Sequence, residues 1–403
     1  MPSTSLEDAG FTDIDWANES GGRSVLDAPT LGLLAGVLAV AALFVYDLRV
    51  GTPFGALNWD PTRMDWLALA AAVLFGRYGC YPLVRDRDRT LSALRSLLAR
   101  PAGALSFAFV VGSLLLALVG PELVSFGYPR LEHRLQPPVF ARVHVADVYA
   151  YSCVGELSGG YCHGTWRYPL GTDRYGESVT ELLFNGNRVA VKLGLTTAAI
   201  MGVVATAVGT TAGYVGGLVD DALMSYVDVQ QTIPALVVYI VLATLFLGEI
   251  GGVGDGGLFA LALVFGLLDW GGIARLVRSD VLTRRSAGYV RAARAAGASD
   301  LHVIRRHVVP NSTATVVTAL TRRVPLLVLV QVALAYLELN RAGSLSLGRT
   351  LRLALSSRVN HLPWHETWWL SVFALAFLVV FVLAYSLFGD ELRDVLDPNE
   401  GMV

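Results

Sequence analysis

Long apolar runs dominate the sequence and limit what it can fold into. Eight runs have roughly the 20 residues that a helix needs to cross a bilayer, and they lie at about 31–48, 64–83, 104–120, 189–212, 234–248, 257–274, from 313 onward, and 367–388. Apolar residues make up 54% of the 403 residues, which is too high a fraction for a soluble domain of this size. The sequence therefore predicts an all-α integral membrane protein with about eight transmembrane helices.

The distribution of arginine predicts the orientation of these helices. The loop at 84–101 contains five arginines, and ten more lie between Arg275 and Arg323. Because basic residues are enriched in cytoplasmic loops, both regions are expected inside and both termini are expected in the cytoplasm. The polar, acidic residues 1–30 have neither the basic start nor the apolar core of a signal peptide, and predict a cytoplasmic tail. The protein is expected in the plasma membrane.

Several function classes are excluded by composition. The only lysine, Lys192, follows a valine, whereas an ATP-binding P-loop needs Gly-Lys-Ser/Thr. The chain is therefore predicted to lack an ATPase site of its own. No H-E-x-x-H or G-x-S-x-G motif indicates catalysis, so we predict no catalytic residue and no enzyme activity. The formal net charge of −2 gives no reason to expect a nucleic-acid partner.

The longest segment between spans, about 121–180, is predicted to lie outside the cell. It contains Cys153 and Cys162, with His144 and His163 nearby. The spacing fits no standard metal-ligand pattern, and we predict no metal site. A disulfide between the two cysteines suits an oxidising exterior, and free thiols are the alternative.

Three charged residues fall at the edges of predicted spans. Asp269 is a functional candidate because carboxylates within a membrane are costly, although its neighbours Trp270, Gly271 and Gly272 favour a position at the interface. Arg322 and Arg323 either reach the inner membrane surface or face a polar translocation path.

The arginine-rich stretch from Tyr289 to Asn311 is predicted to form two short helices joined at Gly297. One face of the first helix is lined mainly by small residues at helical spacing: Tyr289, Ala292, Ala293 and Ala296. Arg291 and Arg294 lie on the opposite side. Gly297 can adopt the left-handed conformation that ends a helix. Ser299 suits the next N-cap, and Pro310 is expected to stop the second helix. The small residues would let another surface approach closely; a plain solvated loop is the alternative.

The same stretch resembles the EAA loop of ABC-importer permeases, in the dipeptide/oligopeptide and nickel branch of that family. The residues that carry the resemblance are Ala292, Ala293, Gly297 and Pro310. Arg291 stands where the family has the glutamate of the motif. Further stretches with family-like residues are PLGTDRYGESVTELLFNGNRV from Pro169, GYVGGLVDDALMSYVDVQQTIP from Gly213, and FGDELRDVLDPN near the end. The run 331–340 departs from the family pattern at several positions, among them Gln331, Glu338 and Asn340.

The resemblance covers roughly 165–400 and implies a six-helix ABC type I importer permease core preceded by two accessory helices. The expected division is a tail at 1–30, an accessory two-helix segment at 31–100, the first core helix and exterior loop at 101–188, and the remaining core at 189–403 with a coupling loop at 278–311. The residues that couple the permease to an ATPase would be Tyr289, Ala292, Ala293, Gly297 and Pro310. The candidates for the translocation path are Asp269, Arg322, Arg323 and Gln331.

The resemblance also implies partners. They are a second homologous permease subunit, two ATPase subunits that bind ATP and Mg, and an extracellular solute-binding protein, with no cofactor on this chain. The substrate would be a peptide or a related small solute. The alternative is a secondary transporter driven by an ion gradient, for which Asp269 alone offers support.

Overall fold

The structure is a computed structural model that describes residues 28–51, 60–123, 130–145, 152–250, 257–339, 346–355 and 366–396. The predicted cytoplasmic tail and Asn340 lie outside these residues, apart from 28–30, which begin the first helix. Two compact units are present, Met1–Pro53 and Phe54–Val403. In the first unit, α1 (Ala28–Val50) is a single apolar helix.

The second unit consists mainly of helices. In chain order they are α2 (Arg63–Phe75), α3 (Tyr81–Arg85), α4 (Arg87–Ala99), α5 (Pro101–Leu123), α6 (Val179–Val215), α7 (Gly217–Thr232), α8 (Ala235–Ile250), α9 (Leu258–Leu268), α10 (Gly271–Arg285), α11 (Gly288–Ala295), α12 (Asp300–Val303), α13 (Val309–Tyr336), α14 (Leu347–Leu355) and α15 (Trp368–Leu396). Two π-helical turns, Gly76–Cys80 and Ile304–Val308, join α2 to α3 and α12 to α13.

The central element is α6, which contacts α2, α5, α9, α10 and α13. Its 37 residues extend over about 55 Å. Small residues allow close packing, as the GxxxG spacing of Gly209 and Gly213 predicts. A Cβ atom on Gly209 would lie 2.5 Å from the carbonyl oxygen of Ala274, and one on Gly213 would lie 2.8 Å from that of Arg278. These two glycines therefore fix how closely α10 approaches α6.

A small sheet lies between α5 and α6 in the predicted exterior segment. Its three strands are β1 (Arg142–His144), β2 (Leu157–Ser158) and β3 (Tyr161–His163), with β3 in the centre and both pairings antiparallel. Cys162 in β3 stands opposite Val143 and Leu157.

The membrane-spanning elements agree with the predicted number. Within the described residues, seven helices are long and apolar enough to cross a bilayer, and the bent pair Gly217–Thr232 and Ala235–Leu242, which meets at 61°, makes an eighth if it counts as one span. The predicted polar connection after Gly213 is therefore largely helix, as is the predicted loop at 84–101, which forms α4.

The boundary between the two compact units falls between α1 and α2. Helix α2, expected to be accessory together with α1, packs against α6 and belongs to the second unit. Met64 is buried in the same hydrophobic cluster as Leu193 of α6, and Trp66 is buried as well.

Candidate coupling and translocation sites

The segment from Gly288 to Val308, here called the 288–308 segment, forms two short helices with a sharp turn between them. The amide of Ala298 donates to the carbonyl of Ala293 (3.1 Å), and the amide of Gly297 donates to that of Arg294 (2.9 Å). This pair of bonds is the Schellman motif that closes a helix with one left-handed residue. Gly297 is that residue, with φ +83°. The predicted turn at Gly297 is therefore present.

The second helix begins as predicted but does not end where it was expected to. The hydroxyl of Ser299 accepts a hydrogen bond from the amide of His302 (3.4 Å), which makes Ser299 the N-cap. Pro310, however, does not stop the helix, and one continuous helical stretch runs from Asp300 to Tyr336. The π turn before it opens the backbone, with the amide of Val309 donating to the carbonyl of Ile304. The wider turn makes room for the ring of Pro310, whose clash with the preceding turn would otherwise interrupt the helix.

The 288–308 segment has one face anchored to the core and another exposed. Three valines are fully buried and hold the segment in place: Val290, Val303 and Val308. Tyr289, Ala292, Ala296, Gly297 and Leu301 are exposed. Ala293 differs from the predicted exposed stripe, because it is partly buried against the core. Most of the predicted small-residue face is thus open to solvent, and a Cβ on Gly297 would meet nothing within 4 Å.

Tyr214, near the end of α6, ties this segment to the central helix. Its hydroxyl donates to Oδ1 of Asp300 (2.7 Å) and accepts a bond from Nε of Arg294 (3.2 Å). The Arg294 guanidinium also lies 4.8 Å from the centre of the tyrosine ring. Arg294 was predicted to lie on the side opposite the small-residue face, and it packs on Tyr214 of α6. The carbonyl of Tyr214 additionally accepts a bond from Arg285 (3.1 Å).

Sequence reasoning missed this role of Tyr214. The signal was weak, since a tyrosine at the end of an apolar run is ordinary at a membrane interface. A second link nearby joins α7 to α10, where Asp220 accepts two bonds from Arg278 at 2.5 and 2.6 Å.

Each arginine of the α13 pair forms one ion pair. Nη2 of Arg322 lies 3.0 Å from Asp390 of α15, and Nη1 of Arg323 lies 3.2 Å from Asp269. Asp390 comes 22 residues after Trp368, the first residue of α15, which is about 33 Å along the helix. Since the hydrocarbon core is about 30 Å thick, a helix that enters the core near Trp368 leaves it near Asp390.

Asp269 lies at the break between α9 and α10, which a glutamine caps. Nε2 of Gln230 donates to the carbonyls of Leu267 (3.3 Å) and Leu268 (2.7 Å). The Leu267 carbonyl also accepts a bond from Nε1 of Trp270 (2.8 Å). The two side chains together satisfy carbonyls that have no partner within the helix at the end of α9. The structure thus brings Asp269 and Arg323 together across two helices at a break in the apolar span.

Gln331 stands apart from these charged pairs. It is buried in α13, and its Nε2 has no hydrogen-bond partner within the described part of the chain. Glu338, beyond the end of α13, is a non-glycine residue with a positive φ of 60°. The carboxylate of Glu338 forms an ion pair with Arg352 of α14.

The exterior segment contains a buried carboxylate, Asp173. Its Oδ1 accepts bonds from the amides of Tyr175 (2.8 Å) and Glu177 (2.9 Å), while its Oδ2 is buried without a partner among the described residues. Burial raises the pKa of Asp173 to about 7, against the opposing effect of these two amides. Burial likewise raises the pKa of Glu177, which lies 3.9 Å from Arg349.

Cys153 and Cys162 are joined by a disulfide in the structure, with Cα atoms 5.6 Å apart. The bond connects β3 to the chain preceding β2, and Cys162, in the central strand, is fully buried. Across the described ranges, no group of three or more His, Cys, Asp or Glu side chains could hold a metal ion.

A further ion pair joins α2 to α6. Nζ of Lys192 contacts Oδ1 of Asp65, while Oδ2 of Asp65 accepts bonds from the amide (2.9 Å) and hydroxyl (2.7 Å) of Thr62. The carboxylate of Asp65 thereby balances the positive charge of Lys192, the only lysine of the chain, within the apolar helix α6. The sequence carried a signal for this contact, because a lone lysine within an apolar run needs a nearby carboxylate.

Comparison with known proteins identifies the family. A family model described as "Binding-protein-dependent transport system inner membrane component" matches residues 205–400, which include the 288–308 segment and α13. The oligopeptide transport system permease protein OppC of Haemophilus influenzae is 29% identical over 231 residues, 57% of this chain and 70% of that protein. The dipeptide transport system permease protein DppC of Bacillus subtilis is 31% identical over 231 residues, 57% of this chain and 68% of that protein. The chain belongs to this family of ABC-importer permeases.

Family membership confirms the resemblance seen in the motifs and the all-α membrane fold of the permease. A solved structure of the MetNI methionine ABC transporter in inward-facing conformations covers 54% of this chain and 96% of its own, at a TM-score of 0.40 and 18% identity. That likeness is too distant to support an argument. The matched residues 205–400 leave α1, α2 and α4 outside the family model.

Membership of this family makes the chain a multi-pass membrane protein and a transport subunit.

Proposed function

We propose that this permease is the membrane-spanning subunit of an ATP-driven importer for peptides or a related small solute. The supporting observation is its similarity to permeases named for oligopeptide and dipeptide transport. It works with a second homologous permease, two ATPase subunits and an extracellular solute-binding protein. ATP and Mg are bound by the ATPase subunits, because the sequence has no Gly-Lys-Ser/Thr motif.

The ATPase-coupling contact is made by the 288–308 segment. The exposed face formed by Tyr289, Ala292, Ala296 and Gly297 has small residues at three of its four positions, so another protein can approach it closely. The buried valines beneath it supply a rigid support, so a push on the exposed face moves the segment as a unit. Tyr289, Ala292 and Gly297 are the direct contacts. Ala293 supports the contact from below, and Pro310 sets the start of α13.

Movement of this segment reaches the membrane through two connections. The first is Tyr214, which joins the segment to α6. The second is the unbroken helix from Asp300 to Tyr336, which carries Arg322, Arg323 and Gln331. An importer alternates between two packings whose populations a partner can bias. We infer that the Arg323–Asp269 and Arg322–Asp390 pairs stabilise one of these packings at the inner end of the path.

Both termini lie in the cytoplasm, since the arginine-rich regions around α4 and from α10 to α13 are then both inside. This orientation places the sheet and the Cys153–Cys162 bond outside the cell. Mass spectrometry of unreduced peptides from fresh membranes should recover the two cysteines in one linked species. Recovery of both as alkylated free thiols would contradict the bond.

Uptake into proteoliposomes tests the main proposal. This chain is co-reconstituted with its second permease, ATPase and binding-protein partners, and uptake of a labelled mixture of short peptides is measured. We expect uptake to require ATP and to persist when ionophores dissipate ion gradients. Uptake that needs the gradient and ignores ATP depletion would favour the secondary transporter instead. ATP-driven uptake of another solute, with no peptide uptake, would retain the importer and reject the peptide.

A further inference from the structure

Helix α4 is held along one face of the membrane by its two ends. The candidate spans Arg63–Arg85 and Pro101–Gly120 precede and follow it directly. The chain bends at Asp86 (φ −104°, ψ 62°) and at Arg100 (φ −95°, ψ 127°), so α4 continues neither span. Its 13 residues measure about 20 Å. Since consecutive spans leave and re-enter the bilayer on the same side, α4 lies along that surface.

The faces of α4 have different surroundings. One face is partly or fully buried where α4 contacts α5 and α15: Thr90, Ala93, Leu94 and Leu97. Next to this face, Leu91 and Leu98 are exposed by 48% and 46%. They are seven residues apart and therefore lie on the same side of the helix. The remaining face is polar and exposed: Asp88, Arg89, Ser92 and Ser96.

Two arginines flank the exposed leucines. Arg87 and Arg95 each lie four residues from Leu91, so they project from the same side of the helix. Both are exposed, and neither is within ion-pair distance of a carboxylate among the residues that the structure describes. Arg100, in contrast, bonds Glu391 (3.2 Å) and Asp394 (3.1 Å) of α15. That contact fixes the end of α4 against the rest of the permease.

We propose that α4 is an interfacial helix that binds the phosphate groups of anionic lipids through Arg87 and Arg95. Leu91 and Leu98 enter the boundary of the acyl chains, and the arginine side chains extend from there to the headgroups. Charge complementarity identifies the occupant, because the segment 76–100 carries six arginines against two aspartates. Juxtamembrane basic clusters of this kind attract anionic lipid.

The turn that leads into α4 supports the same placement. The guanidinium of Arg77 lies 5.3 and 5.2 Å from the ring centres of Tyr78 and Tyr81. Arg85 donates to the Tyr81 hydroxyl (3.3 Å). Tyrosines gathered with arginines are typical of the headgroup level. Because residues 76–100 lie outside the part that matches the family model, this lipid site is independent of the proposed transport function.

Lipid selectivity of the purified full-length permease, with its co-expressed partners, tests the proposal. The complex is incubated with equimolar phosphatidylglycerol and phosphatidylcholine of identical acyl chains, and bound lipids are quantified by native mass spectrometry. We expect a preference for phosphatidylglycerol that falls about fivefold with R87Q or R95Q, the effect of roughly one basic contact each. R89Q, on the polar face of the same helix, is the matched control and should change the preference by less than twofold.

A spin label at Leu98→Cys, in a Cys80→Ser background, reports on this helix alone. In nanodiscs, phosphatidylglycerol should raise the accessibility of the label to oxygen and lower its accessibility to a nickel chelate, compared with phosphatidylcholine. R87Q/R95Q should remove that difference. An equal lipid response in wild type and R87Q/R95Q overturns the proposal. Loss of a partner subunit from R87Q/R95Q with unchanged lipid response would show that this face binds protein, and also overturns it.

Discussion

The two ends of the long helix from Asp300 to Tyr336 are flanked by the same backbone turn built from different residues. Before its start, Gly297 takes the left-handed position of a Schellman motif, with φ +83°. After its end, Glu338 takes that position, with φ 60° and a bond from the Leu339 amide to the Leu334 carbonyl (2.9 Å). Glycine adopts this conformation without strain, whereas other residues pay about 1–2 kcal/mol.

The two turns differ in what the residue at the left-handed position has to do. At Gly297 the backbone is bare and exposed, so a partner surface can approach without meeting a side chain. At Glu338 the side chain is used, because its carboxylate is paired with Arg352 of α14. A left-handed turn thus tolerates a side chain that secures a neighbouring helix, but a docking face favours glycine.

The largest effect should follow from Gly297→Leu. This substitution adds bulk to the exposed face and places a side chain at a left-handed position, so we expect the ATPase subunits to be lost from the purified complex. Co-purification of the ATPase and ATP-driven uptake are measured at matched expression. Gly297→Asn keeps the turn, since asparagine tolerates φ > 0, and should retain more binding than the leucine variant. Normal binding and uptake by Gly297→Leu would mean that the segment is only a loop.

In the segment between α5 and α6, which we expect outside the cell, Asp173 should make the stability of the fold depend on pH. Its pKa is raised from 3.8 to about 7 in the folded protein. The folded state therefore binds the proton more tightly, and this stabilisation is lost as pH rises through 7. Between pH 5 and pH 8 we expect the free energy of unfolding to fall by roughly 2–3 kcal/mol from this group.

Asp173→Asn should remove that dependence. Asparagine keeps an oxygen to accept the amides of Tyr175 and Glu177 and carries no charge at any pH. Thermal unfolding in detergent at pH 5 and pH 8 is the measurement. Glu132→Gln, which removes an exposed carboxylate of the same segment, controls for the loss of one charge. A pH response of Asp173→Asn equal to that of the wild type would contradict the assignment.

A smaller effect is expected from Tyr214→Phe. The change removes one hydroxyl that bonds Asp300 and Arg294 and leaves the ring in place, at a cost of about 1 kcal/mol. The ATPase should still bind, while the transport achieved for each ATP hydrolysed should fall about two- to fivefold. Uptake and ATP hydrolysis are measured on the same proteoliposomes.

Tyr336→Phe is the matched control for this prediction, because it removes the hydroxyl of an exposed tyrosine at the end of α13, away from the 288–308 segment. Its ratio of transport to hydrolysis should remain that of the wild type. An unchanged ratio in Tyr214→Phe would remove Tyr214 from the coupling connection.

The smallest effect should come from Glu338→Gly. Glycine relieves the left-handed strain but loses the ion pair with Arg352, an exposed pair worth about 0–1 kcal/mol. These contributions oppose each other, so stability should stay within about 1 kcal/mol of the wild type. Glu338→Ala loses the pair and keeps the strain, and should be less stable than Glu338→Gly by about 1 kcal/mol. Equal thermal stability of the two variants would show that the turn carries no strain.

Features that depend on neighbours along the chain followed from the sequence alone. The apolar runs predicted the spans, because a helix in lipid needs about 20 apolar residues. The turn at Gly297 and the cap at Ser299 were predictable for the same reason, since each is closed by hydrogen bonds within about five residues. The family, too, was visible in short motifs around these turns.

Tertiary structure decided the features that join residues distant in sequence. Pro310 continues a helix because the preceding π turn makes room for its ring, which no propensity predicts. Ala293 is partly buried, and Arg294 is bound to Tyr214, 80 residues away. Lys192 is neutralised by Asp65, which lies 127 residues earlier. A local pattern states which residues share a helix face, but only the packing of helices determines what that face meets.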